Sequence, residues 1–395
     1  MREKERAGGR QTAGKGENFM DRNQIERAAE QFRALLEAQC ARAEKLREKK
    51  PSPAPDKLRI GLIDGDGIGP VIMREAKRVL CFLLKEELKG GRVEIVDIPG
   101  LTIENRMKLG QSVPTSVLEE IKTCPLLLKG PTETPKGGTM ESANVTLRRE
   151  LDLFSNVRPV RVKEKGIDWT FFRENTEGEY ALGSAGIEIP GLLAVDFKVT
   201  TDEGTRRIAR AAFDYAAGNG KTRVTIVTKA NILKKTDGKF SEICREVAKD
   251  YPGIAAEDYY IDIMCANLLN EEIRSGFQVF VLPNLYGDII TDEAAQIQGG
   301  VGTAGSANVG DRYAMFEAVH GSAPRLVEAG LGEYASPESI LRAEALLLSH
   351  AGFALAAERL NGVLDEVSAR VLCDGTAKGN KASDFGDAVL AALAK

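Results

Sequence analysis

From Leu58 onward the chain alternates short apolar or β-branched runs with amphipathic stretches. The runs LRIGLI (58–63), RVEIVDI (92–98), PLLLKG (125–130), WTFFREN (169–175), RVTIVTK (223–229) and FQVFVLPN (277–284) have the length and residue types of strands. Residues 71–87, 203–217 and 239–250 instead carry apolar side chains at helical spacing. This alternation predicts an α/β fold with much parallel sheet. Residues 337–361 read as one long helical segment rich in alanine and leucine. The first twenty residues are polar, glycine-rich and aperiodic, so disorder is expected there, with Met20 a candidate start. Asp21 and Gln24 form a capping-box pattern, and Ile25, Ala28, Phe32, Leu35 and Leu36 follow at helical spacing. That helix should end near REKK (47–50), before a stiff PSPAPD linker (51–56), and dock on the main body or a neighbouring subunit.

Length and charge narrow the function classes. With 395 residues and 43% hydrophobic content, two ordinary domains can each bury a core. The formal net charge is −4, from 54 basic and 58 acidic residues, which leaves no basic footprint for nucleic acid or an acidic membrane. No run approaches the roughly 18 apolar residues of a membrane span, and a cytoplasmic protein is expected. Six cysteines lie far apart with no metal-ligand spacing, so they read as free thiols serving as small core residues. There are only two histidines, His320 and His350, so proton chemistry must rest mostly on Asp, Glu, Lys or Tyr.

GDGIG (65–69) follows a strand and precedes a helix. Its spacing is not GxGxxG, and Pro70 follows the last glycine, so it reads as a tight turn and not a dinucleotide loop. Arg148, Arg158 and Arg173 stand near strand or helix ends among small polar residues such as Ser142 and Asn144. Guanidinium forks of this kind suit a substrate with several carboxylates. Tyr180 and Lys229 close their segments, and each could carry a proton once its neighbours shift its pKa. In NLYGDIITDEAAQIQGGVG (284–302), Asp288 and Asp292 are four apart, which places both carboxylates on one helix face. They repel unless a cation intervenes, and Asp262, in YYIDIM on an earlier strand, could add a third oxygen. Ordinary helix N-terminal acids would look the same from spacing alone. The segment 299–325 is glycine-rich and reads either as a loop that lets backbone amides approach a phosphate or as a plain surface loop.

Taken together, these segments resemble the β-decarboxylating dehydrogenases, the family of isocitrate and 3-isopropylmalate dehydrogenases, over Leu58 to Lys395. NLYGDIITDEAAQIQGGVG looks like that family's signature. The resemblance implies a two-domain α/β fold that is not a Rossmann fold. Its large domain would be made from 58–154 and 299–395, and its small, dimerising domain from 155–298, after an N-terminal extension over 1–57. It also implies a homodimer with shared active sites, with strands exchanged near 178–201. Asp288 and Asp292 would then hold Mg²⁺ or Mn²⁺ together with Asp262 of the partner chain. Arg148, Arg158 and Arg173 would clamp substrate carboxylates, and Tyr180 and Lys229 would handle protons. The loop around Glu317, His320 and Gly321 would hold NAD⁺ or NADP⁺, with Thr134 near the nicotinamide and Arg325 within reach of a 2′-phosphate. Ser142 and Asn144 match the isocitrate enzymes, so isocitrate is expected ahead of homoisocitrate and 3-isopropylmalate, although Glu141 sits beside the serine. A regulatory subunit without activity is the alternative of another class. Such a chain would be expected to lose one of Tyr180, Lys229, Asp262, Asp288 or Asp292, and all five are present.

Overall fold

A computed structural model describes residues 22–48, 57–135, 140–183 and 185–395. The expected disorder over 1–20, the Met20 start, the Asp21 cap, Lys49–Lys50 and the 51–56 linker all lie outside the described residues. Twelve strands form: β1 (Leu58–Ile63), β2 (Val93–Asp97), β3 (Leu126–Lys129), β4 (Ser155–Val162), β5 (Ile167–Glu174), β6 (Ile187–Ile189), β7 (Leu193–Val195), β8 (Arg223–Thr228), β9 (Ala255–Tyr260), β10 (Val279–Leu282), β11 (Gly305–Val309) and β12 (Ala314–Ala318). Ten of them make one sheet in the order β2-β1-β3-β12-β11-β4-β5-β10-β8-β9.

The sheet is parallel at both ends and antiparallel in the middle. β2, β1, β3 and β12 run parallel, as do β5, β10, β8 and β9. The pairs β12–β11, β11–β4 and β4–β5 are antiparallel. The chain builds one end first, builds the other over 155–298, and returns with β11 and β12. The inner strands of each parallel end are buried on both faces and read as continuous apolar runs, while the edge strands β2 and β9 stay partly exposed. Alternate residues of one strand feed different cores. Ile60, Leu62 and Leu128 join one cluster and Ile63 and Leu127 another, while Val279 and Val281 split from Phe280 and Leu282 at the far end.

Several expectations need correction. The 299–325 segment is not a loop, since it supplies β11 and β12 at the centre of the sheet. Its glycine and alanine content reflects close packing. A Cβ on Gly305 would come within 2.4 Å of the Ala343 backbone nitrogen on the covering helix. Residues 337–361 are two helices, Glu338–His350 and Ala354–Ser368, parted by Gly352 at φ +87°. Asp262 is not on a strand; it lies in the first turn of the helix Ile261–Leu269, just after β9. Among the cysteines only Cys124 and Cys244 are core residues, while Cys40 is exposed and the other three half-buried.

GDGIG is a tight turn, as its spacing suggests. Gly65 and Gly67 adopt φ +74° and +60°, and a Cβ on Gly69 would meet the Asp64 carbonyl oxygen at 2.1 Å. The ribbon β6–β7 falls inside the 178–201 segment and leaves Leu192, Leu193 and Val195 exposed. The N-terminal helix spans Arg22–Glu48 and packs beside β6 and the helix Asp202–Gly218. Among the described residues, no helix is long and apolar enough to cross a membrane.

Candidate active site

The helix Asn284–Gln298 leaves β10 directly and lies against β4 and β5. Gly287 permits this approach, because a Cβ there would stand 2.5 Å from Arg173 Cγ. Arg173, on β5, is 1% exposed and donates from Nε and Nη2 to Asn284 Oδ1 at 3.0 and 2.7 Å. Its Nη1 bonds Asp288, whose other oxygen accepts the Tyr180 hydroxyl at 2.9 Å. Arg158, on β4, donates to Asp292 at 3.0 Å and to Thr291 Oγ1 at 2.6 Å, with Asp288 3.8 Å away.

The third arginine completes a cluster. Arg148 closes the helix Ala143–Glu150 and reaches Glu317 at 3.2 Å. Glu317 is buried on β12, not placed in a loop as expected, and its other oxygen pairs with Lys129 at 3.1 Å. Asn308 donates to the same carboxylate at 2.8 Å, and Asn156 and Asn175 each donate to Asn308 Oδ1 at 2.9 Å. This network joins β3, β4, β11 and β12 at the middle of the sheet. Of its members only Glu317 was singled out in the sequence, and as part of a loop; Lys129, a charge inside the apolar run PLLLKG, was passed over.

Burial and the neighbouring charges act together on the ionisable groups of this cluster. Burial pulls the Arg173 pKa down to about 10, and the nearby Arg148 adds to the effect. Burial works to raise the Asp288 pKa, but Arg173, the Tyr180 hydroxyl, Arg158 and Arg148 outweigh it and hold the carboxyl below its ordinary range. Burial and then Asp288 raise the Tyr180 pKa, so the phenol holds its proton. Three guanidiniums converge here, and the buried Nε atoms of Arg148 and Arg158 have no hydrogen-bond partner. Buried donors left in this way suit an anionic guest. Val145, Arg148, Asn175, Thr176 and Tyr180 line a crevice of about 20 Å³ at this point.

Not every expected residue joins this cluster. Lys229, just past β8, pairs with Asp262 at 2.5 Å, and the Asp262 side chain is 65% exposed. Among the described residues, no three His, Cys, Asp or Glu side chains of one chain gather as a metal site. The donor set nevertheless suits a hard divalent cation, since all three aspartates offer oxygen and Asp292 remains 62% exposed.

Ser142 caps the helix Ala143–Glu150 without a side-chain bond of its own, and Asn144 accepts from Thr132 Oγ1 at 3.1 Å. Glu141 is turned to Arg149, which bonds both its oxygens at 2.8 Å, so it does not compete with the serine. His320 and Gly321 line an open hollow of about 300 Å³ with Ile68, Ala323, Leu326 and Gly375. Burial lowers the His320 pKa, and its Nδ1 bonds the Gly321 carbonyl at 2.9 Å. Thr134 and Arg325 are exposed and do not line that hollow. Glu133 ties the Thr134 segment to it, accepting from Ser322 Oγ at 3.1 Å.

Gly287 offers a direct test of this packing. A Gly287→Ala side chain must displace Arg173, and overpacking of this kind costs about 1–3 kcal/mol. The expected result is a lower urea midpoint together with weaker binding of polycarboxylates, read by titration calorimetry. Unchanged binding would show that Arg173 does not contact them.

A family model described as isocitrate/isopropylmalate dehydrogenase matches residues 59–389. Isocitrate dehydrogenase (NADP) of Rickettsia prowazekii (strain Madrid E) is 42% identical over 303 residues, which is 73% of this chain and 58% of that one. The chain therefore spans little more than half the length of that relative. A probable isocitrate dehydrogenase (NAD) subunit alpha, mitochondrial, of Caenorhabditis elegans is 36% identical over 333 residues, covering 82% of this chain and 87% of the relative. The crystal structure of isocitrate dehydrogenase from Methylococcus capsulatus superposes with a TM-score of 0.75 at 36% identity, covering 86% of this chain and all of the other.

Proposed function

The chain belongs to the isocitrate/isopropylmalate dehydrogenase family and has its fold, and from that premise we propose that it oxidises and decarboxylates isocitrate. The observation that carries this reading is the convergence of Arg148, Arg158 and Arg173, two of them with unpartnered buried Nε atoms. Isocitrate has three carboxylates. Two can meet the guanidinium forks, and the third can meet Ser142 and Asn144 at the start of the helix that carries Arg148.

The two proton carriers of this reading are Lys229 and Tyr180. Lys229, or a carboxylate acting with it, takes the proton of the 2-hydroxyl. Tyr180, whose phenol is protonated, delivers a proton to the carbon that loses CO₂. The arginines hold the substrate through both steps. A bound nicotinamide supplies the hydride acceptor, and a divalent cation supplies a Lewis acid for the developing enolate. Asp288 and Asp292 would hold that cation, with Asp262 of a second copy as the third ligand. On this reading the site is divided between two subunits, since Lys229 and Asp262 pair with each other and stand outside the arginine cluster.

The hollow lined by His320 and Gly321 would take the adenosine half of the cofactor on this reading. The relatives include both NADP and NAD types. Arg325, exposed beside Leu326, would favour a 2′-phosphate if the bound cofactor reaches it.

Initial rates with isocitrate, homoisocitrate and 3-isopropylmalate, each with NAD⁺ or NADP⁺ and with Mg²⁺ or Mn²⁺, test the substrate reading. Isocitrate is expected to give the largest kcat/KM, with one CO₂ released per reduced nicotinamide. A preference for 3-isopropylmalate would remove Ser142 and Asn144 from the argument, and a folded chain inactive on every 2-hydroxy di- or tricarboxylate would favour the regulatory-subunit alternative.

A further inference from the structure

The helix Arg22–Glu48 contains no fully buried residue, so apolar packing alone does not seat it. Phe32 stacks on Phe197 with ring centroids 5.1 Å apart, and Gln31 Nε2 donates to the Gly186 carbonyl at 3.2 Å. A third contact reaches much deeper. Arg42 Nη2 donates to Glu177 Oε1 at 2.7 Å, and the Glu177 side chain is only 3% exposed.

Glu177 is held on several sides. It accepts from the Thr201 backbone nitrogen at 2.9 Å and from Thr201 Oγ1 at 2.5 Å. Gly204 leaves it room, since a Cβ there would stand 2.3 Å from Glu177 Oε1. A second buried carboxylate, Glu174 on β5, accepts from the Glu177 backbone nitrogen at 2.6 Å. Burial and the neighbouring Glu177 push the Glu174 pKa up to about 7. Arg207 also faces the acids, but its terminal nitrogens bond Asp152 at 2.8 and 2.9 Å and Thr176 Oγ1 at 3.0 Å. Among the described residues, Arg42 is thus the cation in direct contact with Glu177.

Hydrogen bonds continue from Glu177 to the site. Its backbone carbonyl accepts Asn284 Nδ2 at 3.0 Å, and Asn284 Oδ1 accepts both Arg173 donors described above. Arg173 bonds Asp288, which accepts Tyr180. Tyr180 itself follows Glu177 by three residues on the same loop.

We propose that Arg42 is a positioning residue for substrate binding, anchoring Glu177 and, through Asn284, fixing the orientation of Arg173. The inference rests on the reading of Arg173, Tyr180 and Asp288 as the reaction site. Arg42 has no contact with the three carboxylate-binding arginines, so its effect travels through the loop at 175–180. The N-terminal helix thereby becomes part of the machinery and not an appendage.

The test compares Arg42→Gln, Arg42→Lys and Lys45→Gln in the full chain. Lys45 is exposed on the same helix and controls for charge. Arg42→Gln is expected to raise KM for isocitrate about tenfold, the lower end for a group that orients a ligand-binding residue. KM for the nicotinamide cofactor should stay the same, Arg42→Lys should restore most of the loss, and Lys45→Gln should match the parent. Amide hydrogen exchange over 175–180 in the ligand-free protein should also speed up in Arg42→Gln alone. An unchanged isocitrate KM, equal shifts in both KM values, or unchanged exchange would overturn the inference. Should the parent fail to oxidise isocitrate, the proposed function fails, and the exchange measurement still decides whether Arg42 anchors the loop.

Discussion

An Asp288→Asn enzyme is expected to lose about a thousandfold in kcat/KM for isocitrate, equivalent to about 4 kcal/mol of transition-state stabilisation. Asp288 is where the site's contacts meet, because it takes Arg173 on one oxygen and Tyr180 on the other. Asparagine keeps the size of the side chain but removes the charge that offsets three guanidiniums and the oxygen that would ligate a cation. Its amide nitrogen must face either Arg173, which breaks that bond, or Tyr180, whose hydroxyl must then turn from donor to acceptor. The substitution therefore disturbs the proposed substrate clamp, proton donor and metal ligand at once. Steady-state kinetics with saturating Mg²⁺ checks this. Retention of more than about a tenth of the activity, itself only about 1.4 kcal/mol, would remove Asp288 from the reaction.

The largest effect on stability should come from Glu317→Gln. Lys129 has no exposure, and its ammonium meets Glu317 at 3.1 Å and the Gly130 carbonyl at 2.8 Å. Removing one partner of such a pair costs about 3–5 kcal/mol, because the other charge is left buried. Burial already lowers the Lys129 pKa, so loss of its proton offsets part of the penalty and the lower end is expected. The double substitution Lys129→Met with Glu317→Gln should recover much of the loss, and a double-mutant cycle in urea reads the coupling. An additive cycle would contradict the pair.

The same pair sets an acid limit. Burial works to raise the Glu317 pKa, but Lys129 and Arg148 outweigh it and bring it down to about 2, against an ordinary 4.5. A carboxyl held lower in the folded state stabilises it above the ordinary pKa. That contribution fades as pH falls from 4.5 through 2. The difference between parent and Glu317→Gln should therefore shrink across that window.

Much of this architecture was legible in the residues. The six apolar runs are all strands to within a few residues, and all but the edge strand β2 are inner strands, whose burial on both faces leaves a nearly unbroken apolar signature. β4 and β11 escaped for the opposite reason: SNVRPVRV carries arginines on a strand that lines the site, and GSANV is small and polar. β12 was missed within the same glycine-rich stretch, because the loop reading extended across AMFEA. The i, i+4 aspartates and the arginines were readable as pairs and clusters, and the structure brings Asp288, Asp292, Arg148, Arg158, Arg173 and Tyr180 together. The Lys129–Glu317–Asn308 network was not readable, since its members are 9 to 188 positions apart and only the sheet order makes them neighbours. Arg42 was hidden for the same reason, as its partner lies 135 residues away.

A subunit-mixing experiment tests the divided site most directly. Lys229→Met and Asp288→Asn should each be nearly inactive alone. Mixed in equal amounts, unfolded and refolded together, they should form hybrids in which one of the two sites draws both intact residues from opposite copies. With random pairing, activity should return to about a quarter of the parent's, since half the dimers are hybrids with one good site each. A mixture no more active than its components would contradict a site shared between two copies of this chain.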